Sequence, residues 1–473
     1  MYKHTQITNN KQSKIRTVRE DKELYLIEKG QLLTPQIITK IINSFSLNEL
    51  PKLIKYKDYF EGKQEITRRL ATDTGKPNNR VVVNFCNSIV NNYLGYLTGK
   101  PISYSNDTAD FEEVINVLRY NDTPDEDSEL LRQALIYGKA YEICYIDMDG
   151  KQRFKVLDSK ECIPVYDNTI DSNLKYVIRF YKDTLYRESV SEKEEYIVEI
   201  YSETDISTYK ASEGFNSLSF ISKVPHYYRQ VPITVFTLNK DEESIFSQVI
   251  SLQDAYNTVL SDNLNDYETF ADAYMVIKGM TADDDDLDSM KSHRVLLLDS
   301  DASAEYLTKN FTDAQTQNIL NTINKKIHSI ANSPDFTDET FMAESGIALR
   351  YKLVGFENTA SGIENQMKKA LTKRIELLSE ILKLTDNEII WADVNIQFTR
   401  NLPTDLTESV NIVSALQGIV SDETLLSLLP FINDPAAEVE KLKQQKKENV
   451  NLFDFSLSSN IEGAENSDEE STL

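Results

Sequence analysis

The sequence predicts an α+β fold, and three observations carry that prediction. Residues from about 140 to 235 alternate apolar and polar side chains with period two, in runs divided by turn residues. On both sides lie long segments whose apolar residues recur every three or four positions. Between two of these helical segments, 241–272 and 312–332, sits a small strand-rich insert, so the flanking helices must return antiparallel.

The elements follow in order. TPQIITKIINSF (34–45) is a helix with Thr34 as its cap and Pro35 at its first position. LPKLIKYKDYFEGKQEITRR (50–69) is basic, tyrosine-bearing and broken near Gly62, and ATDTGKPNNR (71–80) is a loop by composition. Phe85, Ile89, Tyr93 and Tyr96 mark one buried face of a helix stopped by Gly99-Lys100-Pro101. DSELLRQALIYG (127–138) is a second helix leading into strands. AYEICYIDMDGKQRFKVL (140–157) is a hairpin around Asp149-Gly150, and NLKYVIRFYK, EYIVEIYS, STYKAS and HYYRQVPITVFTLN continue it as one antiparallel sheet.

The stretch 241–272 then reads as one long helix with eight acidic side chains and no lysine or arginine. AYMVIKGM, HRVLLLD and AEYLT are three short strands after it, with the run TADDDDLDS as a turn. The next helix puts Ile319, Ile323, Ile327 and Ile330 on one face. SPDFTDETFMAESG is a loop, and a long helix over 346–384 is expected to be interrupted near Asn358 to Gly362. WADVNIQFTR is a strand. Short helices fill 405–446, one opened by Asp405 or Thr407 and another by Ser421 with Thr424. The tail from Ser456 is acidic and aromatic-free, the composition of a disordered segment.

Composition bounds the function. The 473 residues suit two to four domains, and a 40% hydrophobic fraction suits a soluble globular protein. No run of about 18 apolar residues exists to span a membrane, and the N-terminus, MYKHTQITNNKQSKIRTVRE, lacks the apolar core of a secretory signal. Cys86, Cys144 and Cys162 stand singly in apolar runs, as buried small side chains of a reducing compartment do. The net charge of −25 argues against a simple nucleic-acid binder, whose affinity comes from Lys and Arg on phosphates.

Motifs for catalysis are sparse. GYLTGKP (95–101) is one spacer residue short of a phosphate-binding loop and has no following Ser or Thr. Asp283–Asp286 could hold a divalent cation, but the run lacks the glycine and distal glutamate of a calcium loop and reads as a solvated tip. Asp147 and Asp149 resemble a metal pair, yet they flank a turn in which Asp-Gly is good turn chemistry. His4, His226, His293 and His328 have no zinc spacing. No GxSxG, HExxH or Cys–His signature occurs. The balance favours a binding or structural role without cofactors. A metal-dependent nucleic-acid enzyme built on Asp147 and Asp149, or on 283–286, is the alternative, and a helical adaptor of low copy number is a third.

Four segments in this order and spacing carry a resemblance: YKDYFEGKQEITRR (56–69), KPNNRVVVNFCNSIVNNYLGYLTGKPISY (76–104), ESGIALRYKL (344–353) and IQFTRNLPTDLTESVNIVSALQGIVSDETLLSLLP (396–430). Over about 50 to 445 the chain resembles the portal proteins of tailed bacteriophages, in the branch typical of long-tailed phages of Gram-positive bacteria. The resemblance implies a ring of about twelve subunits at one capsid vertex, through whose channel double-stranded DNA is packaged and ejected. It implies a virion protein, present in the host cytoplasm during assembly and not in a membrane. Its implied partners are the terminase large subunit, a head–tail connector or adaptor, the scaffold and the major capsid protein.

On this pattern, 1–49 is an N-terminal segment, 50–240 an α/β wing, 241–272 and 312–332 a two-helix stem, and 273–311 a small β-containing clip. Residues 333–346 are a tunnel loop, 347–404 the interrupted helix and a wing strand, 405–446 a helical crown, and 447–473 a disordered acidic tail. The expected channel lining is Asp254, Asp262, Asp266 and Glu268. An acidic wall repels phosphate and centres a duplex that must slide, whereas one inward lysine would become a collar of about twelve charges. At a gap below the Debye length of about 8 Å the repulsion is only partly screened. The helix could also be acidic because it meets solvent or a neighbour's basic face. Lys325, Lys326 and His328 either pair with acids of an adjacent stem helix or touch DNA. The loop carries Phe336, Thr337, Phe341, Met342 and Glu344, of which Phe336, Phe341 and Met342 form an uncharged gasket around DNA or anchor the loop into the stem. Lys278, Lys291 and Arg294 are the expected clip contacts to motor or connector.

Overall fold

The computed structural model describes residues 25–445 apart from 72–75, 107–110, 184–194, 213, 272–274, 279–302, 307–312, 337–345, 386–389, 402–405, 430–431, 433–434 and 436–437. The chain divides into two units, Met1–Leu94 with Asp110–Ala392 and Gly95–Ala109 with Asp393–Leu473.

In the larger unit, Thr34 caps α1 (Pro35–Asn48): its hydroxyl accepts the Ile37 N–H, and Pro35 stands where no donor is needed. Helix α2 (Leu50–Phe60) ends before Gly62, whose φ of +82° suits glycine. An extended strap, 76–84, leads into α3 (Phe85–Thr98). Helices α4 (Glu112–Tyr120) and α5 (Thr123–Tyr137) follow; α4 went unread in the sequence, and α5 starts four residues earlier than expected.

The period-two region forms two sheets where the sequence suggested one. Strands β3 (Lys139–Ile146) and β4 (Gln152–Leu157) are the expected hairpin, joined by β10 (Ile233–Thr237) in a three-stranded sheet. The six-stranded sheet runs β1-β5-β6-β7-β8-β9, from β1 (Tyr25–Ile27) and β5 (Cys162–Asp167) through β6 (Leu174–Lys182), β7 (Glu195–Tyr201) and β8 (Asp205–Ser212) to β9 (Leu218–Pro225). All pairs in it are antiparallel except β1 with β5. The split follows from burial: Tyr141, Leu157 and Ile233 of the small sheet pack on Cys162, Val177 and Tyr201 of the large one. Residues of opposite parity face away, and Phe180 meets Phe45 of α1 edge-on at 5.8 Å.

Helix α8 (Gly346–Leu382) is continuous over 37 residues, which corrects the expected break at Asn358 to Gly362. The polar side chains there bond within the helix: Thr359 donates to the Gly355 carbonyl and Ser361 to Glu357. Its buried Arg374 donates two bonds to Glu142 at 2.6 and 2.7 Å and one to Asp127 at 2.6 Å, and lies 4.4 Å over the Phe154 ring. This cluster ties α8 to β3, β4 and α5.

The smaller unit pairs β2 (Ser103–Ser105) with β13 (Asn395–Gln397), Ile396 opposite Tyr104. Gly99 is required here, because a Cβ would stand 2.2 Å from the Gly95 carbonyl oxygen, with the Asn401 amide nitrogen at 2.3 Å. The unit also holds α9 (Leu406–Leu416) and α10 (Asp422–Ser427); Ser421 caps α10 through the Thr424 N–H, as expected. The Asp405 cap and the tail from Ser456 lie outside the described residues.

Candidate functional site

Helix α6 (Ile250–Ala271) packs against α7 (Asp313–Ile330). The pair β11 (Met275–Lys278) and β12 (Ser303–Tyr306), with Met275 opposite Tyr306, joins the chain between them. Phe85 meets Tyr256 edge-on at 5.0 Å and His328 at 5.9 Å, so the end of α7 lies beside the beginning of α6. The two helices are antiparallel, as the strand-rich insert required. The strand HRVLLLD lies outside the described residues.

The acidic helix begins later than its apolar stripe suggested. Residues 241–246 form a turn in which the Asn239 side chain accepts the N–H groups of Asp241 and Glu243, and Glu242 has a φ of +53°. That turn seats on Gly138, where a Cβ would lie 2.2 Å from the Glu242 carbonyl oxygen. Glu243 binds Lys52 and Tyr56, and Glu242 lies 3.8 Å from the buried Lys139, which also holds Glu49 at 2.7 Å. Two acids of the stretch are therefore tethers at the root of α6.

What positions α6 is a ladder that sequence reading missed. Gln253, Asn257, Ser261 and Asn265 recur every four residues, and the first three are wholly buried. Their side-chain oxygens accept the backbone N–H groups of Phe85, Val83, Val81 and Asn79, at 3.0, 3.0, 3.0 and 2.7 Å. Gln253 also donates to the Val83 carbonyl at 2.6 Å. Four helical residues advance about 6 Å and two extended residues about 6.6–6.8 Å, so the repeats nearly match. Gln64, also buried, accepts from Asn257 and donates to the Tyr59 carbonyl and Asn84. The available signal was four small amides and hydroxyls at i+4 spacing beside a strap rich in valine.

The predicted lining acids divide into two pairs. Asp254 accepts the Tyr59 hydroxyl on both oxygens at 2.7 and 2.8 Å. Burial raises its carboxyl above the usual range and raises the Tyr59 hydroxyl as well. Asp262 is half exposed and lies 2.6 Å from Arg69. Asp266 and Glu268 are exposed toward the end of α6.

On α7, Ile327 and Leu320 are buried, whereas Ile319 and Ile330 are each 43% exposed. The apolar face is thus turned by one position from the expected isoleucine stripe. Lys325 and Lys326 are exposed and make no ion pair among the described residues, while His328 turns inward, its Nδ1 2.9 Å from the Ser333 carbonyl. Beyond α7 the chain is held by α3: Asn92 donates to Ser333, and the Tyr93 hydroxyl to the Ala331 and Asn332 carbonyls. Phe336 is 42% exposed just after this clasp. Thr337, Phe341, Met342 and Glu344 lie outside the described residues, as do Lys291, Arg294 and Asp283–Asp286; Lys278 is exposed at the end of β11.

Asp147 does turn chemistry. Its Oδ1 accepts the N–H groups of Lys151 and Asp149 at 2.9 and 3.0 Å, and these bonds hold its carboxyl below the ordinary value. Among the described residues no three His, Cys, Asp or Glu side chains are grouped to hold a metal, and no helix is long and apolar enough to cross a membrane.

Comparison with known proteins agrees with the resemblance read from the sequence. Residues 40–452 match the family described as phage portal protein, SPP1 Gp6-like. The portal protein of Clostridium phage phiCD119 is 22% identical over 423 residues, covering 84% of this chain and 92% of that protein. The portal protein of Bacillus phage SPP1 is 21% identical over 439 residues, covering 86% of each. With a match running from α1 past α10 and joining both units, the chain belongs to the SPP1 Gp6-like family of phage portal proteins.

Proposed function

We propose that the chain assembles as a ring of about twelve copies at one capsid vertex and conducts double-stranded DNA during packaging and ejection. The reading has α6 and α7 as the stem, the β11–β12 region as the clip, 333–346 as the tunnel loop, 405–446 as the crown and the two-sheet region as the wing. The terminase motor docks at the clip and is later replaced by the head–tail connector; Lys278, Lys291 and Arg294 are its contacts. The observation that carries the reading is the antiparallel α6–α7 pair around a small strand insert, within a chain of this family.

Charge supports the conduit. Helix α6 has no lysine or arginine, and its Asp262, Asp266 and Glu268 are exposed. Repeated around a ring, they repel phosphate and keep a duplex from adhering. Asp254, bonded to Tyr59, contributes to the field from a fixed position.

The test is electron microscopy of the purified protein. The expected result is rings of about twelve copies with a hole wide enough for duplex DNA. Compact closed particles without a hole would overturn the reading.

A further inference from the structure

The ladder between α6 and the strap has a mechanical consequence. Its rungs pair Gln253 with Phe85, Asn257 with Val83, Ser261 with Val81 and Asn265 with Asn79, so the strap runs antiparallel along the helix. Ladder bonds of an extended chain lie across its direction. A force along the α6 axis therefore loads all four rungs together, whereas lifting one end of the strap would open them singly. Sliding the helix to the next matching position requires a shift of about 6 Å and the breaking of every rung.

The strap is itself fixed at both ends. Asn84 donates to the Phe60 carbonyl, and Arg80 to the Thr67 carbonyl. The 59–69 segment also grips α6 directly, through Tyr59 on Asp254 and Arg69 on Asp262. The grip thus falls along one flank of α6, over the span 253–265, and leaves Asp266 and Glu268 beyond it.

We infer that the strap 79–85, with Tyr59 and Arg69, is an axial clamp: it holds α6 at a fixed height against the 59–69 segment while DNA moves past. The inference rests on the conduit reading. A motor pushing DNA against internal pressure exerts a reaction force along the channel, and a helix lining that channel needs restraint in that direction. The four rungs of the ladder supply it with neutral groups, so they add no charge to the acidic helix; Arg69 on Asp262 is the cation in the clamp's grip on α6.

Two measurements test the clamp on full-length protein. The first is hydrogen exchange on assembled rings. The amides of Val81 and Val83 should exchange about 100-fold more slowly than those of Arg80 and Val82, an alternation that general burial would not produce. Equal rates at the four positions would overturn the ladder. The second compares packaging by wild-type rings and rings carrying Asn265→Ala with Ser261→Ala, read as DNA length packaged against an applied opposing force. Asn265 is only part-buried and Ser261→Ala removes one oxygen, so the variant should still assemble; Ser261→Thr, which keeps the hydroxyl, is the rescue. Expected are about tenfold faster exchange at Val81, normal packaging at low force and stalling at a lower force than wild type. Variant rings that package to full length at wild-type forces would overturn the clamp and leave the conduit reading standing. Wild-type rings that package no DNA would overturn the conduit reading itself.

Discussion

Arg374 decides how the long helix meets the sheet. One guanidinium faces two carboxylates, all wholly or nearly buried. Burial raises the Glu142 carboxyl, and Arg374 opposes that shift. Removing the cation strands two buried acids, the costly way to break a buried pair. Arg374→Met should therefore lower unfolding free energy by about 3–5 kcal/mol, measured by urea denaturation. A loss below 1 kcal/mol would mean that the acids are neutral or solvated. Asp254 gives a test with the pH axis. Its folded carboxyl titrates above the ordinary Asp value because of burial, so the native state binds more protons than the unfolded one between those two values. Its contribution to stability thus falls as pH rises through that window, and the full penalty is present above it. Asp254→Asn keeps an acceptor for Tyr59 and cannot ionise. Its stability relative to wild type should be greatest near neutral pH and should shrink as pH falls toward the ordinary Asp range. A relative stability independent of pH would show that Asp254 is not desolvated.

Helix α6 combines three demands on one element. Its buried side takes the strap, the neighbouring side takes α7, and the remaining surface carries acids and small polar residues. The sequence displayed all three as composition: i+4 amides, an apolar stripe and an absence of cations. It did not display which acids had intramolecular partners, because Tyr59 and Arg69 are nearly 200 residues away in the chain. Changing Asp266 and Glu268 to Lys keeps both the ladder and the Arg69 pair. Rings should form as in wild type, and packaging should slow at low ionic strength and recover partly as salt screens the new collars. Packaging at the wild-type rate across salt concentrations would remove the repulsive role from these positions.

At the scale of the whole molecule, the chain is rooted by contacts between distant segments. Gly138 receives the Glu242 carbonyl, α3 clasps the end of α7, and Arg374 joins α8 to the small sheet. The acidic tail has no aromatic residue and few aliphatic ones from Ser456 onward, too little to bury in a core. Deleting Ser456–Leu473 should leave the yield of soluble protein and the melting temperature unchanged; aggregation or a lowered melting temperature would show that the tail packs on the rest.

The sequence by itself determined the mixed fold, the order of most helices and strands though not α4, β1, β2, β5 or β9, the antiparallel return of α6 and α7, and the family. Those properties are written in local periodicity, turn residues and caps such as Thr34 and Ser421, or in segments kept in order along the chain. Only the tertiary structure decided that the period-two region divides into two sheets, that α8 runs through Asn358 to Gly362 unbroken, and that α6 is laced to a valine strap. Each depends on what a face or a polar group meets across many residues of chain. A glycine or asparagine inside a helical pattern lowers local propensity by less than about 1 kcal/mol, which packing along a 37-residue helix readily offsets. An amide on a helix reads as a surface residue until the backbone it binds is known, and at Asn257 that backbone is Val83.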